Sequence, residues 1–138
     1  MKKLLFAFVV MALIACDDDN DDGGGTTTPF TKDQIVGAWN GDEIEYRYVK
    51  PGIIDTSEFE DITPYTVTFN NDMTGNVDSS GIQVDAFDWA LIGDNQMVFY
   101  EDTMDIETLS GTNFNFSITY VEDPSNGIMT IQTIKLVK

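Results

Sequence analysis

From Ala38 to Lys138 apolar and polar side chains change places at every second position, and short polar clusters interrupt the alternation at intervals. The pattern is sharpest in Phe114-Phe116-Ile118-Tyr120, where Asn113, Asn115, Ser117 and Thr119 take the other face. Tyr65-Val67-Phe69 and Phe87-Trp89-Leu91 repeat it, and Ile44-Tyr46-Tyr48 does so beside Glu43, Glu45 and Arg47. A period of two is that of a strand with one core face and one wet face. Eight extended segments follow, at about 38–49, 64–70, 74–78, 84–91, 95–101, 103–109, 113–121 and 128–137, none interrupted by proline. In the last, Met129 and Ile131 fall on one face and Ile134 and Leu136 on the other, which calls for a bulge or burial on both faces.

The breaks between segments are turns. Phe69 to Gly75, Ile92 to Asn95 and Ser110 to Asn113 carry residues that tolerate positive φ or bond their own backbone. Successive strands are therefore expected to pair as antiparallel hairpins. Eight strands in an up-and-down meander hide their edges by closing into a barrel, whose interior either fills with side chains or holds one small ligand. Ahead of the strands, Thr31 with Gln34 three residues on forms a capping-box pattern, so one helical turn precedes Gly37. The predicted fold is all-β, an eight-stranded antiparallel up-and-down barrel with a short N-terminal helix. Phe30 to Lys138 is roughly a hundred residues, enough for one domain and too few for two.

The N-terminal segment reads differently. Met1-Lys2-Lys3 is a basic start, and Leu4 to Ala15 is apolar without a charge, the pattern of a signal peptide. A spanning helix needs about 20 apolar residues, and this stretch ends on Asp17, Asp18 and Asp19, so a membrane span is a poor reading. Leu13-Ile14-Ala15-Cys16 resembles a bacterial lipobox. That resemblance implies cleavage before Cys16, lipidation of its thiol, acylation of the new amino terminus by a palmitate-class chain, and a membrane partner reached through the anchor. Cys16 is the only cysteine, so no internal disulfide can form. Residues 1–15 are thus read as signal peptide, 16–29 as lipidated cysteine and acidic, glycine- and threonine-rich tether, and 30–138 as the barrel domain. The run Asp17 to Asp22 resembles the export signal of surface lipoproteins in some Gram-negative bacteria. It implies an outer-membrane, cell-surface location, with the periplasm-facing leaflet as the alternative.

Charge and residue inventory narrow the chemistry. The chain has 24 acidic against 7 basic residues and a formal charge of −17, which disfavours nucleic acid and anionic lipid surfaces as partners. There is no histidine, and with Cys16 committed to the anchor no thiolate nucleophile remains. No serine has a histidine partner and no glycine-rich phosphate loop occurs. Asp18-x-Asn20-x-Asp22-Gly23 matches the opening of a calcium loop, but its twelfth position is Pro29 where a bidentate glutamate is required. Glu58, Glu60 and Asp61 near Phe59 and Tyr65 could pair as glycosidase carboxylates, yet in so acidic a chain they read as a solvated loop. No enzyme, cofactor or metal site is expected.

Four blocks in order carry a further resemblance: Ile35-Val36-Gly37-Ala38-Trp39, Tyr65 to Gly75, Phe87-Asp88-Trp89-Ala90-Leu91 and Ile106-Glu107-Thr108-Leu109. Together they resemble the lipocalin-like domain of bacterial surface lipoproteins, over nearly all of residues 33 to 137. Gly37-x-Trp39 is similar to the lipocalin signature in which tryptophan plugs the closed end of the barrel. Members usually carry glycine where this chain has Met73, so Asn71 or Asp72 is expected to supply the left-handed conformation. By the same resemblance the connection from Pro51 to Pro64 covers the mouth, with Phe59 and Tyr65 flanking an entrance ringed by Glu58, Glu60 and Asp61. The alternative is that Ile53, Ile54, Phe59 and Ile62 close over the core.

Trp39, Tyr65, Phe69, Phe87, Trp89, Phe114, Phe116 and Tyr120 either line a pocket for a small hydrophobic ligand or fill the barrel. Each ring at full burial contributes about 150–250 Å² to a core, and a domain this small needs that area, so a filled barrel is the default. Two functions are compatible with the chain. One is an anchored carrier of a small hydrophobic molecule with a movable loop at 51–63. The other is a surface interaction or structural lipoprotein with a solid core that acts through exposed loops and negative charge.

Overall fold

The structure, a computed structural model, describes residues 29–53 and 55–138. The signal-peptide, Cys16 and tether readings, and Ile54, lie outside the described residues. Among the described residues, a single helical turn, α1 (Lys32–Ile35), is followed by nine strands: β1 (Gly37–Val49), β2 (Thr56–Asp61), β3 (Tyr65–Phe69), β4 (Thr74–Ser79), β5 (Ile82–Ile92), β6 (Gln96–Phe99), β7 (Asp102–Leu109), β8 (Asn113–Asp123) and β9 (Ile128–Val137). The order in the sheet is β2-β1-β3-β4-β5-β6-β7-β8-β9, and β1 also pairs with β9. Every pairing is antiparallel. The β1–β9 pairing closes eight of the strands into the expected up-and-down barrel, and each of the eight predicted segments is one of its staves.

The ninth strand was not expected. Thr56 to Asp61 reads as loop in the sequence but pairs residue for residue with the outer half of β1, from Glu43 opposite Asp61 to Tyr48 opposite Thr56. β3 pairs with the inner half of the same edge, Gly37 to Asn40. β2 and β3 are therefore one long arm broken at Ile62–Pro64. At the break the Ile62 N–H donates to the Asp42 carbonyl at 3.1 Å and the Asp61 carboxylate accepts the Thr63 N–H at 2.8 Å. The arm comes so close to β1 there that a Cβ at Gly41 would run into the Ile62 carbonyl.

One end of the barrel is sealed. The Thr31 N–H donates to Gln34 Oε1 at 2.8 Å, closing the capping box that the sequence contains. The helical turn lays Ile35 into the barrel, and its carbonyl accepts Trp39 Nε1 at 2.7 Å. Lys138 Nζ stands 4.0 Å from the Trp39 ring centre, a cation on an indole face. Inside, Phe114 meets Trp39 at 5.4 Å, Phe69 at 5.5 Å and Phe116 at 4.8 Å between ring centres. Phe69 also meets Phe87 and Trp89 edge-on. Phe99, Met97, Met104, Ile106 and Leu136 complete this core. In β9, Leu136 is buried and Ile134 packs against the core, while Met129 and Ile131 are half-buried at positions of the opposite parity. Its pairing with β1 and β8 runs without a bulge on β9 itself, so of the two readings, burial on both faces holds.

The first barrel turn corrects an expectation. Met73 itself takes the left-handed conformation, with φ of 71°, and neither Asn71 nor Asp72 has positive φ. Thr74 fixes the geometry: its N–H and hydroxyl both bond Asp72 Oδ1, so the polarity of Asp72 is spent holding the turn and the next residue must swing left-handed. Two residues on, Gly75 lies beneath the Phe87 ring, and a Cβ would collide with that ring and with the Thr68 carbonyl.

Two neighbouring substitutions should thus act with opposite signs. Met73→Gly should stabilise the domain by about 0.5–1 kcal/mol, because a β-carbon in the left-handed region costs more than glycine's added chain entropy. Gly75→Ala should destabilise it by about 1–3 kcal/mol through overpacking against Phe87. Chemical denaturation of both variants followed by tryptophan fluorescence checks this, and equal midpoints would refute the assigned turn geometry.

Candidate functional site

The barrel has one sealed end and one open end, and the wall of the open end is uneven. β7 pairs with β8 only as far as Asp105 opposite Ser117, while β8, β9, β1 and β2 continue past that level. These four strands form a sheet that rises beyond the core. Ile44, Ile134 and Phe116 face one another in register across β1, β9 and β8, and all three belong to the core or pack against it. One step outward along the same face come Tyr46, Gln132 and Ile118, and one further step brings Tyr48, Thr130 and Tyr120. β2 adds Glu60 opposite Ile44, Glu58 opposite Tyr46 and Thr56 opposite Tyr48. The barrel's inner surface thus continues upward into a platform of tyrosines and carboxylates.

Its electrostatics are one-sided. In the four strands the basic side chains are Arg47 and Lys135, and strand parity puts both on the opposite, convex face. There Lys135 Nζ is 2.7 Å from Glu43 and 3.0 Å from Glu45, with the Phe59 ring centre at 5.5 Å. The bond from Lys135, and then that from Ser57, holds the Glu45 carboxyl below its ordinary range, while the two carboxylates raise Lys135 above its own. On the concave face Glu58 and Glu60 have no cation among the described residues. The Tyr46 hydroxyl donates to Glu60 at 3.2 Å. Burial first, then the bond to Glu60 and the nearby Glu60, Tyr48 and Tyr120, push the Tyr46 phenol upward, so it stays neutral and a donor. Tyr48 and Tyr120 are each 43% exposed, which leaves their ring faces available.

The residues singled out in the sequence separate into three groups. Trp39, Phe69, Phe87, Trp89, Phe114 and Phe116 are buried core, packed on one another. Tyr65 and Tyr120 are exposed at the open end. The proposed mouth loop is a strand, and its alternation splits it: Glu58 and Glu60 face the platform, whereas Phe59 and Asp61 face the convex side, so Phe59 flanks no entrance and covers Lys135 instead. Of the residues expected to close over the core, Ile62 does so, while Ile53 and Phe59 are exposed. Phe99, central to the ring cluster, and Tyr46 and Tyr48 were not singled out. The Ile44-Tyr46-Tyr48 alternation was the signal that could have found the last two.

A groove of about 830 Å³ lies elsewhere, on the outer surface across β4 and β5, and is bordered by Thr74, Asn76, Asp88, Tyr100, Glu101 and Asp102. Beside it the Tyr100 hydroxyl donates to Asp85 at 2.6 Å, and burial and that bond raise the phenol well above its usual range. Among the described residues no three acidic, histidine or cysteine side chains gather as metal ligands, and no helix is long and apolar enough to cross a membrane. Comparison with protein-family models, curated proteins and solved structures finds no match to the chain.

The Glu43–Lys135–Glu45 cluster ties β9 to β1, and its contribution has a defined pH window. Glu45 is lowered in the fold, so its share is present above the unfolded glutamate value of about 4.3 and is lost as pH falls through the folded value. Lys135 is raised, so its share persists below about 10.4 and is lost only at higher pH. Lys135→Met should therefore lower stability at pH 7 by at most about 1 kcal/mol, the exposed position limiting the effect. The deficit should vanish towards pH 3. A deficit unchanged between pH 7 and pH 3 in denaturant titrations would contradict the ion-pair origin.

Proposed function

We propose that this chain is a membrane-anchored, non-enzymatic lipoprotein of lipocalin-like type whose barrel is a solid scaffold and whose activity is recognition at its open end. The observation that supports this most is the contrast between the two parts of one surface. Below Ile44, Ile134 and Phe116 the interior is occupied by interlocking rings, with Trp39, Phe114 and Phe116 fully buried. Above them the same face carries exposed Tyr48, Tyr120, Glu58 and Glu60 beside half-buried Tyr46, with Thr130 buried among them. A carrier of a small hydrophobic molecule needs a space of a few hundred Å³ lined by apolar groups, and here those groups contact one another. Tyrosines with a rigid apolar body and a polar tip are instead suited to contact surfaces.

The anchor is Cys16, with the outer-membrane surface as its location. Cys16→Ala should move the protein from the membrane to the soluble fraction, and retention in the membrane would overturn the anchor. On intact cells, added protease should remove the domain, whereas protection until the outer membrane is breached would place it on the periplasm-facing leaflet. Fluorescent fatty-acid probes should show no saturable uptake. Stoichiometric uptake reversed by a competing fatty acid would restore the carrier function and overturn the solid scaffold.

A further inference from the structure

The platform has an unpaired margin. β2 is the first strand of the sheet and, among the described residues, pairs only with β1, and all six of its residues are exposed. Which backbone groups face outward follows from the break that ends the strand. The Ile62 N–H bonds the Asp42 carbonyl directly opposite, and in an antiparallel ladder bonded pairs recur at every second residue. Glu60, Glu58 and Thr56 therefore spend their backbone groups on Ile44, Tyr46 and Tyr48, while Ser57, Phe59 and Asp61 turn theirs away from β1. Among the described residues no other strand reaches that edge: β4 pairs with β3 no further than Ser79 opposite Tyr65 and then turns at Ser80–Gly81. A row of unspent N–H and C=O groups is a template for another strand.

We propose that the free edge of β2 accepts, as an added strand, an extended lysine- or arginine-bearing segment of a partner protein, whose basic side chains alternate onto the face of Glu58 and Glu60. The proposal rests on the reading of the open end as a recognition surface and names the chemistry of what is recognised. Charge selects the occupant. An added strand sets alternate side chains beside Glu58 and Glu60, which pair with no cation among the described residues, and opposite charges on adjacent strands attract. The convex face shows the chain's own version of such a contact, with Lys135 held by Glu43 and Glu45 against an aromatic ring. On the concave face Tyr46 and Tyr48 offer rings beside Glu58 and Glu60, the latter already bonded by the Tyr46 hydroxyl, for the incoming cation. A second copy of this chain is a poor occupant, because β2 against β2 would oppose the same carboxylates, and β8 also ends in acids, Glu122 and Asp123. The Asp17 to Asp22 run of the same chain is excluded on the same ground.

The test titrates the full chain, held in a mild non-ionic detergent, into a short labelled peptide alternating lysine with threonine, and into its glutamate counterpart, by fluorescence anisotropy. Saturable binding of the lysine peptide alone, weakening as salt rises, is expected. Two variants separate edge from charge. Ser57→Pro removes an outward N–H and leaves the backbone ladder between β1 and β2 intact, losing only the Ser57 hydroxyl's bond to Glu45 on the convex face, and Glu58→Gln with Glu60→Gln removes the charge. Each should weaken binding at least about tenfold while the melting temperature stays near that of the parent, the loss expected of a contact at the centre of the site. Binding abolished by the glutamine pair but untouched by Ser57→Pro would show charge attraction without strand addition and overturn the proposal. So would equal binding of the glutamate peptide, or binding only to a neutral oligosaccharide. These outcomes leave the anchor and the solid core standing, since those are decided by cell fractionation and fatty-acid uptake.

Discussion

The structure depends on what β1 does with its two edges. One edge gives its hydrogen bonds to β9 from Asn40 to Val49, and that pairing closes the barrel. The other edge is shared, with β3 taking Gly37 to Asn40 and β2 taking Glu43 to Tyr48. The change of partner coincides with the register shift between Gly41 and Glu43, where the extra residue bends the strand and Gly41 lets the Ile62 carbonyl approach. Below this point β1 is a stave of a closed barrel with no edge to protect. Above it, β1 is the centre of an open sheet. Closure and exposure are thus two halves of a single strand.

Burial follows the same division. Up to the level of Ile44, one step past the bend, the inward positions of β1, β3, β5, β8 and β9 bring Trp39, Phe69, Phe87, Trp89, Phe114, Phe116 and Leu136 together, each buried in one cluster. The polar atoms of the two indoles are satisfied by backbone carbonyls of Ile35 and Thr74, so tryptophan can fill the barrel without stranding a donor. Past Ile44 the pairing of β7 with β8 ends, and the inward face passes from half-buried Tyr46 to exposed Tyr48 and Tyr120. Tyrosine replaces phenylalanine at Tyr46, Tyr48 and Tyr120 along that face, as wet aromatic positions require. One periodic sequence pattern therefore yields a core in its first half and a contact surface in its second.

The barrel was legible because its staves alternate and its turns carry asparagine, aspartate and glycine. The eight segments and the capping box follow from patterns within a dozen residues, whereas the place of Trp39 came only from the resemblance of Gly37-x-Trp39 to the lipocalin signature. β2 was not legible. Thr56-Ser57-Glu58-Phe59-Glu60-Asp61 holds one apolar residue among acids of low strand propensity, and only pairing with β1 makes it a strand. Reading it as loop grouped Glu58, Phe59, Glu60 and Asp61 around one entrance, whereas the pleat sends neighbours to opposite faces. Met73 was misjudged for a related reason. Propensity favours Asn71 or Asp72 in the left-handed region, but the two bonds from Thr74 to Asp72 fix the turn and hand the strain to the next residue. In both places a tertiary or turn-level contact overrode local preference.

An open edge beside a solid barrel leaves a signature in the backbone itself. Amide hydrogen exchange, resolved residue by residue by NMR, reads it most directly. In β2 the N–H groups of Glu58 and Glu60 should be protected by their bonds to β1, while those of Ser57, Phe59 and Asp61 should exchange close to the rate of an unstructured chain. Within the barrel, amides of β1, β8 and β9 near Trp39, Phe114 and Leu136 should exchange only through global unfolding. Such alternation along five consecutive residues is expected only if β2 is a paired strand with one edge free. Uniform fast exchange from Ser57 to Asp61 would return the segment to a loop, and uniform protection would mean that the edge is already occupied; either result would contradict the division of β1 on which the structure is built.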